Sequence, residues 1–346
     1  MIQTLEKNIE ELVPAKWWEP YEKNKILCTL CPRYCKIGEG QPGFCYIRQN
    51  HGGKLYTIGY GRPTGFAIDP VEKKPLNHFY PGTSILSFGT AGCNLGCKFC
   101  QNWSISKAKL DNSNSLNSSP EDVVNLAKQY NVPSIAYTYN DPTIFGEYVI
   151  DISKIAREEG INSVMVTAGY IDKNARKDVY KYIDAANVDL KGFTERFYNK
   201  LTFSSLSDVL DTLIWLKNET EIWFEITTLL IPGENDSSEE IQNECNWILE
   251  NLGDSVPLHF TAFHPDFRMR NKTRTPQSTL NNARNIAMKS GIKFCYLGNI
   301  HDLEGQNTYC PNCNTPLIKR NWHDISMNKI TDGKCYKCQT IIPGIF

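Results

Sequence analysis

No apolar run in these 346 residues approaches the length of about 18 that a membrane-crossing helix needs. No sign of charge is in excess either. The 37 Lys and Arg stand against 38 Asp and Glu, which argues against a strongly basic binder of nucleic acid, although it leaves a local patch open. The opening MIQTLEKNIEELVPAKWW lacks the charged-then-apolar layout of a signal peptide, so the expectation is a soluble, cytoplasmic protein with no membrane contact. There is no GxGxxG or P-loop string and no internal repeat, and the composition fits neither collagen, coiled coil nor disordered chain. At about 150 residues per domain the length suggests two domains, but an α/β barrel often takes about 200–250 as one. A chain this long buries a core without covalent staples, so its 13 cysteines need another explanation.

The cysteines fall into groups. Cys28, Cys31, Cys35 and Cys45 form the first, Cys93, Cys97 and Cys100 the second, and Cys310, Cys313, Cys335 and Cys338 the third, with Cys245 and Cys295 apart. CxxC pairs in an odd total, without a secretory layout, point to metal binding rather than disulfides. The third group is CPNC, 21 residues, then CYKC. Two such knuckles suit a closed, structural Zn(Cys)₄ site or a rubredoxin-like iron site, and either would supply folding energy to a tail with little core. The first group, with nine residues between Cys35 and Cys45, is less regular and fits a structural zinc or an auxiliary iron–sulfur cluster. The second packs three thiolates into eight residues with no fourth cysteine nearby. A four-iron cluster on three cysteines leaves one iron open to a small molecule, whereas a Cys₃ zinc site completed by a distant His is the plainer alternative. Cys245, on an expected helix, and Cys295, on an apolar strand, read as buried small hydrophobes.

Cys93-x₃-Cys97-x₂-Cys100, with Phe99 before the last cysteine, resembles the cluster loop of the radical S-adenosylmethionine (SAM) superfamily. The wider string GTAGCNLGCKFCQNW (89–103) resembles the radical SAM enzymes of the AmmeMemoRadiSam system, relatives of pyruvate formate-lyase activating enzymes, and the strings at 28–35, 69–82, 138–145 and 298–313 fit as well. The resemblance implies a [4Fe–4S] cluster on Cys93, Cys97 and Cys100, SAM as co-substrate, and a ferredoxin- or flavodoxin-type electron donor. It also implies either a partner-protein substrate, in the manner of glycyl-radical activation, or association with Memo-like and AMMECR1-like proteins.

The pattern itself reads as alternating strands and helices. SILSFG (84–89), SIAYTY (134–139), SVMVTA (163–168), NVDLK (187–191), IWFEITTLL (222–230), PLHFTAF (257–263) and KFCYLG (293–298) are expected strands. Helices are expected to start at Ser119-Pro120, to run through 144–159, 172–183 and 205–218, and to start at Ser237-x-x-Glu240 and Thr275-Pro276. This α/β order implies a parallel sheet, and the resemblance makes it a partial (β/α)₆ barrel over 79–300. A Cys-rich cap over 1–78 and a zinc-ribbon-like tail over 301–346 would flank it. Ile2, Leu5, Ile9 and Leu12 suggest an amphipathic helix, Trp17 and Trp18 packing onto the body, 55–61 a cap strand, and the polar DNSNSLNSS (111–119) a mobile loop.

Ligands of such sheets sit at the carboxyl ends of strands, where several polar residues fall. The resemblance places Asn140 and Asp141 at the segment that receives the SAM ammonium. Thr167 falls in a segment where Val166 and Ala168 replace the usual acid and asparagine. Asp189 and Lys191 match an Asp-x-Lys pair for the ammonium and carboxylate, and His264 matches a carboxylate or ribose contact. His78, His259 and His301 read as core or loop residues, and Gly233 as a turn. A non-catalytic multi-metal or electron-relay protein is the rival reading, and it has no use for strand-end polar residues around one cavity.

Overall fold

A computed structural model describes residues 12–346; the helix expected around Ile2, Leu5 and Ile9 lies outside them. The main sheet has eight strands: Thr64–Pro70 (β1), Ser84–Gly89 (β2), Ser134–Tyr137 (β3), Asn162–Thr167 (β4), Ala185–Asp189 (β5), Trp223–Leu230 (β6), Leu258–Ala262 (β7) and Cys295–Gly298 (β8). They lie side by side in chain order. β1 runs antiparallel to β2, and every later pair is parallel. Six helices make the crossovers between β2 and β8: Pro120–Gln129 (α1), Gly146–Glu158 (α2), Lys173–Val179 (α3), Leu206–Glu219 (α4), Ser238–Asn251 (α5) and Gln277–Ser290 (α6). β1 and β8 are the two edges, so the barrel is partial, as the strand–helix count implies.

Local chemistry sets these boundaries. Ser119 caps α1 in a full capping box with Asp122, and Pro120 fills the first turn. Ser237 caps α5 by accepting from the Glu240 amide, but the Glu240 carboxylate accepts from the Phe193 amide at 2.7 Å instead of closing the box. β1 departs from the sequence reading, because residues assigned to the cap hydrogen-bond to β2. Its sequence TGFAIDP carries a glycine and a proline and is mostly half-exposed, which is edge-strand chemistry without an apolar signature. The expected cap strand is Lys54–Thr57, paired with Arg48–His51. Trp17 and Trp18 pack on the core, and Cys245 and Cys295 are buried. The exposed 111–119 segment is tied down rather than free: Asp111 accepts from the amides of Ser113 and Asn114, and Arg62 donates to Asn112 and Ser115.

Beneath the sheet, Glu225 on β6 is fully buried and accepts from the amides of Asn77 and His78, the Trp223 indole and the His259 ring. His78 in turn bonds the Tyr296 hydroxyl and the Pro343 carbonyl, joining the tail to the barrel. Burial pushes the Glu225 carboxyl up, but His259 and the other donors outweigh it and hold it below its ordinary range. Burial also drives the His78 imidazole down to about 4. Both groups bind protons more readily when unfolded. Their stabilisation is present at neutral pH and is lost as pH falls, for His78 from its unfolded value of about 6.5 towards 4. We expect the urea midpoint to drop between pH 7 and pH 5, and less steeply in His78→Gln; identical slopes in the two proteins would contradict this account.

Candidate active site and metal centre

The loop after β2 carries Cys93, Cys97 and Cys100. Their side chains line one cavity of about 130 Å³ together with Asn140, Asp141, Thr167, Asp189 and Lys191, which stand at or just beyond the carboxyl ends of β3, β4 and β5. The structure thus brings together every expected site residue of the barrel except His264, which follows β7 in an exposed irregular segment and is not in that lining. A larger cavity of about 660 Å³ lies at the opposite end of the strands, near Asn162, Asp184 and Ile222.

Each lining residue has a distinct set of partners. Asn140 pins the start of the cysteine loop, accepting from the Thr90 amide and donating to the Gly92 carbonyl at 2.8 Å. Tyr139, at φ 71°, makes the turn that aims Asn140 there. Asp141 caps the short helix Pro142–Phe145 through the Thr143 amide and reaches across to the Thr167 hydroxyl and the Ala168 amide. Both of its oxygens are therefore engaged within the chain, so the geometry makes Asp141 a tie between the ends of β3 and β4. Asp189 and Lys191 form an ion pair at 2.9 Å. Burial works against the Lys191 charge, but Asp189 and Cys97 outweigh it and hold the ammonium protonated.

Burial pushes the Cys97 thiol up to about 12, against the pull of Lys191. A thiolate there needs more positive charge beside it, which a bound iron would supply. Three thiols on one short loop, Cys97 buried and Cys93 and Cys100 half-buried, with no fourth cysteine in the lining, fit a four-iron cluster with one open iron. Two residues that sequence reasoning did not single out belong to the same loop system. Lys107 donates to the Leu95 carbonyl at 2.5 Å, and the Ser106 hydroxyl lies 3.0 Å from the Cys100 sulfur. The only signal for them was position, just beyond the last cysteine.

Gly92 is the pivot of the loop. Its φ is +89°, and an added Cβ would stand 2.0 Å from the Cys45 carbonyl oxygen. We expect Gly92→Ala to cost about 3 kcal/mol and to lower iron loading, whereas Gly160→Ala, left-handed but in open space, should cost about 1 kcal/mol with loading unchanged. Chemical denaturation and iron assay read both effects; equal costs would contradict the steric account.

In the tail, the sulfurs of Cys310, Cys313, Cys335 and Cys338 all lie within 4.8 Å of one another. Cys310 and Cys338 are 3.5 Å apart, and Cys313 and Cys335 3.8 Å. Tetrahedral zinc, with bonds of about 2.3 Å to each sulfur, sets its ligands about 3.8 Å apart. The two knuckles repeat one geometry. Asn314 and Gln339, each just after a second cysteine, are left-handed, and Thr315 and Thr340 hold the Cys313 and Cys338 thiols below the usual range. A carbonyl from the same two threonines accepts from the amides of Cys310 and Cys335.

Residues 88–245 match the family described as the Radical SAM superfamily. An uncharacterized protein of Methanocaldococcus jannaschii is 44% identical over 306 residues, which is 88% of this chain and 91% of that protein. The pyruvate formate-lyase-activating enzyme of Clostridium pasteurianum is 24% identical over 179 residues, covering 50% of this chain and 72% of its own length. Among solved structures, Streptococcus suis SuiB bound to S-adenosylmethionine shares the fold with a TM-score of 0.50 at 15% identity, over 67% of this chain and 53% of SuiB. Among the described residues, no helix is long and apolar enough to cross a membrane.

Proposed function

The chain belongs to the radical SAM superfamily and is homologous to pyruvate formate-lyase-activating enzymes, and on that premise we propose that it holds a [4Fe–4S] cluster on Cys93, Cys97 and Cys100 and reductively cleaves SAM. The observation that carries the reading is that three thiols of one loop line the same cavity as the Asp189–Lys191 pair. A cluster held by Cys93, Cys97 and Cys100 and reduced by the external electron donor would supply the one electron that SAM needs for its C–S bond to break to methionine and a 5′-deoxyadenosyl radical, which would take a hydrogen atom from the substrate.

The chain's own residues bind and orient. Lys191 has two N–H donors beyond the one given to Asp189 and offers them to the SAM carboxylate, while Asp189 accepts from its ammonium. Thr167 and Asn140 line the floor of the site. Asp141 is a positioning residue that fixes the ends of β3 and β4, and no contact is assigned to His264. Fixing the amino-acid head in place aligns the sulfonium with the cluster, so proximity is the main protein contribution. Kinship with activating enzymes supports a glycyl backbone on a partner protein as the hydrogen donor and a ferredoxin- or flavodoxin-type reductant. The string at 89–103 supports a place in the AmmeMemoRadiSam system, with Memo-like and AMMECR1-like proteins as partners. Zinc is assigned to the tail cysteines.

Anaerobic protein loaded with iron and sulfide, reduced and given SAM, tests the reading. Methionine and 5′-deoxyadenosine should appear in equal amounts; a fully loaded, reduced protein that forms neither overturns it.

A further inference from the structure

Cys28, Cys31, Cys35 and Cys45 lie outside the site described above, yet the fold draws them into one neighbourhood. Cys28 ends the strand Ile26–Cys28, and Cys35 directly precedes the partner strand Lys36–Ile37. The Cys28 amide donates to the Cys35 carbonyl at 3.0 Å, and Cys31 sits in the turn between them. The turn holding Cys45 folds back so that a Cβ on Gly43 would touch the Cys35 Cβ at 3.8 Å. Cys28, Cys31 and Cys45 are buried.

The buried Arg48 guanidinium, paired with Glu147 at 2.9 Å, lies near Cys28 and Cys45. Cys45 is followed by the left-handed Tyr46, just as Cys313 and Cys338 are followed by left-handed Asn314 and Gln339. This is the local geometry of a metal knuckle.

Spacing separates this group from the tail. No three of its sulfurs lie within 4.8 Å of one another, a condition that the tail cysteines alone satisfy among the described residues. A single tetrahedral ion gathers its sulfurs to about 3.8 Å. A four-iron cluster gives each thiolate a separate iron at its own corner and holds the sulfurs farther apart. Cys93, Cys97 and Cys100 are spaced too widely for the single-ion condition as well. The first group thus fails the single-ion condition, as the cluster loop does, and among the described residues the tail alone meets it.

We infer that Cys28, Cys31, Cys35 and Cys45 hold a second iron–sulfur cluster, liganded by four cysteines and closed to small molecules. It abuts the first loop. The Cys45 carbonyl packs on Gly92, and Arg33 donates to the Asn94 carbonyl beside Cys93. The second site thus touches the cluster loop directly at Gly92 and Asn94.

The test uses the full chain carrying Cys93→Ala, Cys97→Ala and Cys100→Ala together, reconstituted anaerobically with iron and sulfide. The variant should retain about four irons with matching sulfide per chain, show a four-iron Mössbauer spectrum, and hold about one zinc. An iron-free variant overturns the inference, whether it holds two zincs, which makes the first group a zinc site, or one, which leaves that group without metal. Wild-type protein gives a second readout that does not depend on the variant's folding: about eight irons per chain support the second cluster, and about four contradict it.

Discussion

Cys97→Ala lowers 5′-deoxyadenosine formation by about 1000-fold or more, equivalent to about 4 kcal/mol of lost transition-state stabilisation, and leaves zinc content at the wild-type level. Cys97 is the middle cysteine of the loop, buried in the cavity lining beside Lys191. Removing it takes away one of the three thiols proposed to hold the cluster. The tail cysteines are a separate side-chain cluster at the other end of the sequence, with their own knuckles. Metal analysis by mass spectrometry and chromatography of the SAM products check the two halves together. Loss of zinc with retained cleavage would reverse the metal assignments.

Glu225→Gln destabilises the fold by about 3–5 kcal/mol and lowers Tm by about 10 °C, with no ligand of any site touched. Four donors converge on this carboxylate in a place without water access: two backbone amides, the Trp223 indole and the His259 ring. A glutamine of the same shape turns an NH₂ group toward some of them and removes the charge that faces His259 at 2.7 Å. Exposed Glu219 on α4 is the control, and Glu219→Gln should move stability by no more than about 0.5 kcal/mol. Thermal unfolding of the three proteins side by side decides the matter, and a Glu225→Gln curve that overlays wild type would show the network to be inert.

How much of this could be read from the sequence depended on range. Seven parallel strands, their helices and three cysteine groups came from local signals: apolar runs, helix caps and cysteine spacing. β1 did not, because an edge strand with a glycine and a proline carries no apolar signature and exists through its pairing with β2. Glu225 was one polar letter in an apolar run, and its partners His78 and His259 read separately as core or loop residues. Only the fold brings them within hydrogen-bond reach, 147 and 34 positions apart in the chain. Asp141 shows the same limit at the site. Its position in the cavity was legible, but its engagement with Thr143, Thr167 and Ala168 follows from how β3 and β4 end side by side. The spacing that separates the first cysteine group from the tail is likewise a property of the folded chain.

The central claim is that SAM binds an iron held by Cys93, Cys97 and Cys100. The most direct measurement is the low-temperature EPR spectrum of the reduced, iron-loaded protein with and without SAM. The account predicts that SAM shifts the g-values of one cluster signal and that the shift is lost in Cys97→Ala. A spectrum indifferent to SAM at full loading would contradict it.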